Sequence, residues 1–256
     1  MFSVPIRTAV LDPATSTYVY GAGGGITWPS DPATENDEVD VKARILTRSR
    51  REFDLLETML LGPEGVRHRT HHLDRLGASA GWWGFPFVRH HAEELLDSLD
   101  PADDARRLRL LLSRAGVLRI EHTPLEADAE AVVELAIDHV TMRSDDPFCC
   151  HKTTWRRHYD EARARHPGAD DVILVNEHEH AVETTIANLA YRVGDRWYTP
   201  PLDDGGLAGV GRSIALADGR LTERSIDAAH LATVDELAVV SSLRGWRPAR
   251  LVERRP

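Results

Sequence analysis

FCCHKTTWRRHYDEARARH, running from Phe148 to His166, carries Lys152, and the only other lysine in the chain is Lys42. Every other member of the 31 basic residues is arginine. An arginine stays protonated at any accessible pH and is no amine nucleophile, whereas a lysine can lose its charge on burial and add to a carbonyl. Amine chemistry in this protein therefore has two candidate residues. Composition alone leaves open that the arginine bias is general and that Lys152 merely opens a surface helix. The pattern places Lys152 on a helix running to His166.

Outward from that stretch toward the C-terminus, DVILVN reads as a strand, EHEH as a polar turn, and AVETTIANLAYRV and RWYTP as further strands. DDGGLAGVGRSIALAD opens a helix near Val210, and RLTERSI and DELAVVSSL are the last strands. Three features here fit together. Val182-Glu183-Thr184-Thr185 sets one carboxylate in an apolar, threonine-rich run, where it needs a cationic or hydrogen-bonding partner. Leu207-Ala208-Gly209-Val210-Gly211-Arg212 offers free amides at a helix start, suited to a phosphate. Ser241-Ser242 adds hydroxyls at a strand end. A lysine for the aldehyde, a carboxylate for the pyridine nitrogen and a cradle for the phosphate are what pyridoxal phosphate requires.

Toward the N-terminus, RRLRLLLSRAGVLRIEH alternates basic and apolar residues across Gly116 as two antiparallel strands would, and AVVELAIDHV is another strand. FDLLETMLL reads as a strand and Gly62-Pro63-Glu64-Gly65 as a turn. VRHRTHHLDRLGASAGWWGF is helical through Leu73, Leu76 and Ala80, and VRHHAEELLDSLD makes a second amphipathic helix. TMRSDDPFCC connects this half to the lysine. Residues 1–28 suggest a hairpin around Pro13-Ala14-Thr15-Ser16, with Gly23-Gly24-Gly25 read as a plain loop. Ser30-Asp31-Pro32 suits a helix start, on which Glu38 and Lys42 form an i,i+4 pair. Strands and helices are interspersed without a regular βαβ repeat, so the expected class is α+β rather than a doubly wound sheet.

The 42% hydrophobic and 28% charged content is that of a soluble globular protein, and no apolar run approaches the roughly 20 residues of a membrane helix. The start, MFSVPIRTAV, lacks the pattern of a secretory signal, which points to the cytoplasm. Cys149 and Cys150 are adjacent and cannot make an ordinary structural disulfide with each other. A net charge of -10 argues against a nucleic-acid partner. It leaves room for a small anionic substrate, which one or two buried arginines can hold.

FDLLETM, HHLDRLGASAGWWGFPF, HKTT, DDVILVNEHEHAVETTIANL, TPPLDDGGLAGVGR and SSLRGWRPA, in that order from Phe53 to Ala249, resemble the fold type IV pyridoxal-phosphate enzymes. Within them the resemblance is to the 4-amino-4-deoxychorismate lyases. GAGGGITWPSDPATENDEVDVKA resembles the C-terminal end of chorismate-utilising enzymes, in particular aminodeoxychorismate synthase component I. In that family the residues matching Glu38 and Lys42 hold magnesium and face the substrate. Here the segment reads as the junction of an ancestral fusion, retained for packing. The implied architecture is a D-amino acid aminotransferase-like fold in three parts: the remnant at 1–48, an α+β domain at 49–141 and a cofactor-binding domain at 142–256.

The resemblance implies that Lys152 is the Schiff-base lysine, that Glu183 partners the pyridine nitrogen, and that Arg75 binds the phosphate with the amides of Val210 and Gly211 and the Ser242 hydroxyl. Arg109 falls near a position that holds a substrate carboxylate in related enzymes, and Arg114 and Arg244 are further candidates. The implied activity is a carbon-oxygen lyase that converts 4-amino-4-deoxychorismate to 4-aminobenzoate and pyruvate, whether for folate biosynthesis or a specialised product. The alternatives are a branched-chain or D-amino acid aminotransferase of the same fold and a non-catalytic partner of the synthase. A homodimer is implied by the family.

The sequence departs from the family where Leu-Ala-Gly replaces Leu-Pro-Gly at 207–209, where Thr184 follows the glutamate, and at Trp155, which could narrow the pocket. Glu177, His178, Glu179 and His180 are read as a solvated turn, so no metal is expected. His71, His72, His90 and His91 are read as exposed helix residues. Cys149 and Cys150 are read as packing residues, and Trp82, Trp83 and Phe85 as core or interface.

Overall fold

The computed structural model describes residues 8–15, 17–21, 28, 31, 51–126 and 132–252. The chain divides into two compact units, Met1–Glu52 and Phe53–Pro256. In the first, β1 (Ala9–Asp12) and β2 (Thr17–Tyr20) form the expected antiparallel hairpin, with Ala9 opposite Tyr20. Its turn is held by the Asp12 carboxylate, which accepts from the Ala14 N–H and the Thr15 hydroxyl, both at 2.9 Å. The Gly23-Gly24-Gly25 loop, Glu38 and Lys42 lie outside the described residues.

The second unit opens with β3 (Leu55–Gly62) and the short β4 (Gly65–Val66). Next come helices α1 (Arg69–Trp83) and α2 (Arg89–Asp97) and the hairpin β5 (Arg106–Leu112) and β6 (Leu118–Pro124). The strands form an antiparallel sheet in the order β4-β3-β5-β6. Side chains alternate across a strand. Leu55, Met59 and Leu61 of β3 and Leu108, Leu110 and Leu112 of β5 pack with Leu73, Leu76 and Ala80 of α1 in one core. Each fully buried leucine contributes about 1.5–3 kcal/mol. The same alternation turns Glu57 toward α1 and puts Arg107 and Arg109 on the opposite face of β5. Helix α1 ends at Gly84, whose φ of 68° is the left-handed cap glycine tolerates best.

The remaining strands build an eight-stranded sheet. They are β7 (Val133–Ile137), β8 (Asp171–Val175), β9 (Ala181–Thr184), β10 (Asn188–Val193), β11 (Arg196–Thr199), β12 (Thr222–Glu223), β13 (Glu236–Ser241) and β14 (Gly245–Leu251). Helices α3 (Pro147–Cys150), α4 (Arg157–Arg165) and α5 (Val210–Ala217) accompany them. The order β12-β11-β10-β13-β14-β7-β8-β9 places β7, which the sequence grouped with the first half, in the middle of the large sheet. There it pairs in parallel with both β14 and β8.

Four local readings are corrected. The run 181–193 is two strands, because the Thr184 N–H and hydroxyl both bond the Ala187 carbonyl at 2.9 Å and fold the chain into a tight turn. RLTERSI yields only the two-residue β12. Strand β14 was hidden by Pro248, a residue that normally argues against a central strand. It lies opposite Ala238, and the parallel ladder to β7 begins only at Ala249. Lys152 is not helical. Helix α3 stops at Cys150, His151 is extended, and the Leu56 N–H donates to the Lys152 carbonyl at 3.0 Å. Two more bonds strengthen this strap, Thr154 N–H to the Asp54 carbonyl and Asp54 N–H to Thr154 Oγ1, each 2.9 Å.

Candidate active site

A cavity of about 660 Å³ is bounded by residues of both sheets, and Lys152 lines it. The strap that stops α3 sets the lysine there. Its side chain is partly buried. Burial and the nearby guanidinium of Arg75 lower its amine from the ordinary 10.5 to about 8, with Glu57 and Glu183 opposing the shift.

Glu183 is the third residue of β9 and is buried within the same wall. Its Oε1 accepts from the Tyr159 hydroxyl at 2.8 Å, and its Oε2 accepts from Asn188 Nδ2 and the Leu207 N–H, both at 3.1 Å. These donors favour the carboxylate, yet burial outweighs them and raises the acid to about 7. The site therefore holds a carboxylate that lacks only a close cationic partner.

Arg75 reaches the cavity from α1. Its Nε and Nη2 donate to Glu57 at 2.9 and 2.6 Å, and its Nη1 donates to the Ala208 carbonyl at 3.0 Å. A guanidinium has five N–H donors, so two stay available. Burial alone would raise the Glu57 acid, but Arg75 and His72 outweigh it and hold the group at about 2. His72 Nδ1 is 2.6 Å from Glu57 Oε2, and its Nε2 is 2.8 Å from Ser242 Oγ.

Beside Ser242, α5 begins at Val210, with Gly209 as its cap. The first amides of a helix have no partner within it. Close packing holds this turn: a Cβ on Gly211 would lie 2.7 Å from the Ser241 carbonyl carbon, and one on Gly209 would lie 1.7 Å from Asn188 Oδ1. One cavity thus combines a depressed amine, a raised acid, a bidentate cation with spare donors, and a helix N-terminus.

The family model described as amino-transferase class IV matches residues 54–252. The chain belongs to the class IV aminotransferase family. A second model, described as chorismate binding enzyme, matches residues 1–48. A Schizosaccharomyces pombe relative described as "Putative aminodeoxychorismate lyase" is 31% identical over 182 residues, covering 67% of this chain and 77% of that protein. The crystal structure of a "Putative amino-acid aminotransferase" from Mesorhizobium loti matches with a TM-score of 0.73 and 38% identity, over 78% of this chain and all of that one. A "Putative 4-amino-4-deoxychorismate lyase" from Legionella pneumophila matches with a TM-score of 0.67 over 82% of this chain and 85% of that one. Its 23% identity makes that likeness one of fold alone. The fold is the α+β, fold type IV architecture that the motifs implied.

In this class IV chain, Lys152, Glu183, Arg75, Val210, Gly211, Ser242, Arg109 and Arg244 all line the cavity. Arg114 does not. It sits in the turn after β5 and stacks over the Phe85 ring at 5.0 Å. Trp155 is also outside the lining and packs against Phe148, with ring centroids 6.0 Å apart. Arg109 is ion-paired with Glu121 at 2.8 Å, and Arg244 Nη1 donates to the Glu126 carbonyl at 3.2 Å. Cys149 is buried, and burial pushes its thiol up, which suits packing rather than nucleophilic chemistry. Trp82 is largely exposed, whereas Phe85 is core.

Sequence reasoning missed Glu57, Tyr159, Asn188 and Arg156, and it misread His72, which is buried rather than exposed. The spacing His72, Leu76, Ala80 was a usable signal for the inward helix face. No helix among the described residues is long and apolar enough to cross a membrane.

Proposed function

We propose that this protein is a pyridoxal phosphate-dependent lyase that converts 4-amino-4-deoxychorismate to 4-aminobenzoate and pyruvate. One observation carries the reading: Lys152 and Glu183 line the same cavity with opposite anomalies, the amine lowered to about 8 and the acid raised to about 7. Class IV enzymes use this cofactor, and the residues present fit it. Lys152 would hold its aldehyde carbon and Glu183 its pyridine nitrogen. The spare donors of Arg75, the Val210 and Gly211 amides and Ser242 would hold its phosphate.

When bound, pyridoxal phosphate supplies a carbonyl for amines and a cationic ring that stores the electron pair released by an adjacent C–H. The protein does the rest. Glu183, fixed by Tyr159, Asn188 and Leu207, would offer a negative charge to the ring nitrogen and so keep it protonated. With the substrate amine held by the cofactor, Lys152 Nζ, lowered to about 8, would be neutral often enough near pH 8 to take the proton from the amine-bearing ring carbon. The carbon-oxygen bond to the enolpyruvyl group then breaks, the group leaves with a proton to become pyruvate, and the ring becomes aromatic. Aromatisation makes the elimination effectively irreversible.

The choice of lyase rests on the name of the S. pombe relative and on the likeness of residues 1–48 to chorismate-binding enzymes. Purified protein loaded with cofactor is expected to release pyruvate and 4-aminobenzoate in equal amounts from aminodeoxychorismate. Consumption no faster than in buffer would sink the reading. The M. loti structure favours an amino-acid aminotransferase as the second reading. Amine transfer from an amino acid to a 2-oxo acid, without pyruvate release from aminodeoxychorismate, would establish it.

A further inference from the structure

The cavity is strongly cationic in a chain whose net charge is -10. Seven arginines and Lys152 line it, against Asp170, Asp171 and Glu183. Several of these arginines are already matched: Arg75 by Glu57, Arg109 by Glu121 and Arg163 by Asp171 at 3.6 Å. Among the described residues Arg107, Arg156 and Arg244 have no carboxylate within ion-pair distance; Arg107 is exposed and Arg244 donates to the Glu126 carbonyl, whereas Arg156 is half-buried beside Lys152.

Its position is fixed from two sides. Nη2 donates to the Thr185 carbonyl at 2.6 Å, and the guanidinium carbon lies 4.6 Å from the centre of the Tyr159 ring. Tyr159 in turn donates to Glu183. A planar cation held by a carbonyl and an aromatic face keeps further N–H donors in a fixed fork, which suits a carboxylate better than a flexible ammonium would. A partly buried charge whose nearest carboxylate, Glu183, lies beyond the Tyr159 ring is incompletely compensated, and an anionic ligand would complete its compensation.

We infer that Arg156 is the cavity's substrate-carboxylate anchor and selects ligands that carry a carboxylate. The inference rests on the cavity being the substrate site of the proposed enzyme. It goes beyond that proposal by naming the recognition residue.

The test uses the cofactor-loaded protein and paired probes that differ only in charge: 4-aminobenzoate against 4-aminobenzamide, and pyruvate against pyruvamide. Dissociation constants are measured by calorimetry for wild type, Arg156→Gln and Arg156→Lys. Wild type is expected to prefer the carboxylate of at least one pair by about tenfold or more, as a charge-assisted fork should. Arg156→Gln should lose that preference while binding the amide as before, and Arg156→Lys should fall between them. A purely structural role would weaken acid and amide alike. The inference is overturned if wild type has no preference, or if either variant keeps it in full. Should Arg156→Gln fail to fold, Arg156→Lys decides alone. Loss of preference without pyruvate release from aminodeoxychorismate would sink the lyase reading and leave Arg156 standing. Pyruvate release with an intact preference in Arg156→Gln would do the reverse.

Discussion

Ser242 Oγ lies 2.8 Å from His72 Nε2, which ties the end of the large sheet to the helix of the small one. The far ring nitrogen of His72 faces Glu57 at 2.6 Å. An ionised carboxylate can only accept, so Nδ1 carries the proton. Burial lowers the histidine against the opposing pull of Glu57 and favours the neutral ring, so in the cofactor-free protein Ser242 donates to Nε2 the single proton that it would turn to a bound phosphate. Glu57→Gln would leave Arg75 and His72 without their counter-charge. The expected loss is about 3–5 kcal/mol by denaturant unfolding at pH 7. Because the Glu57 acid sits at about 2 rather than the ordinary 4.5, its contribution is complete above pH 4.5 and fades as pH falls toward 2. Wild type should therefore weaken across that window more steeply than Glu57→Gln.

Lys152 carries the opposite signature. Its folded value of about 8 lies below 10.5, so the charged form is disfavoured in the fold. The resulting cost is fully present below pH 8 and disappears as pH rises to 10.5. Lys152→Met should stabilise the cofactor-free protein by on the order of 2–3 kcal/mol at pH 7, and by almost nothing at pH 10.5. The same variant should show no visible absorbance from bound cofactor. A lower melting temperature at pH 7 would contradict an amine whose charge the fold disfavours.

Glu183 makes the cofactor-free fold sensitive to alkali. Raised to about 7, its carboxyl resists ionisation, so a cost appears above pH 4.5 and is complete above pH 7. Glu183→Gln should be more stable than wild type at pH 8, by about 2–3 kcal/mol, and equal to it at pH 4. Added pyridoxal phosphate should reverse the order at pH 8, because only wild type offers an anion to the pyridine nitrogen. Melting temperatures with and without cofactor test both halves.

Gly209 has no room for a side chain. A Cβ there would force Asn188 aside and break its bonds to Glu183 and to the Leu207 carbonyl at 2.9 Å. Gly209→Ala should cost about 2 kcal/mol or more and weaken cofactor binding, read by spectral titration. Gly81 faces open space on α1, so Gly81→Ala should instead stabilise by about 0.4–1 kcal/mol with cofactor binding unchanged.

Much of the architecture was legible because it rests on local pattern. Alternation in RRLRLLL marked β5 and put Arg107 and Arg109 on one face, and the rarity of lysine singled out Lys152. What escaped depends on partners distant in sequence. His72 looks like its exposed neighbour His71 until Glu57, on another strand, is seen opposite it. Arg109 and Arg114 look alike in sequence, but one sits in a strand facing the cavity and the other in the turn beyond it. Pro248 concealed a strand whose ladder simply begins one residue later.

The strap between Lys152 and Leu56 bears on how a substrate gets in. Swinging the two sheets apart like a jaw would tear the Leu56–Lys152 bond and both bonds between Asp54 and Thr154, displacing the reactive amine with every opening stroke. Ligand entry past the loops and side chains at the mouth would leave these bonds, and with them the backbone of Lys152, in place.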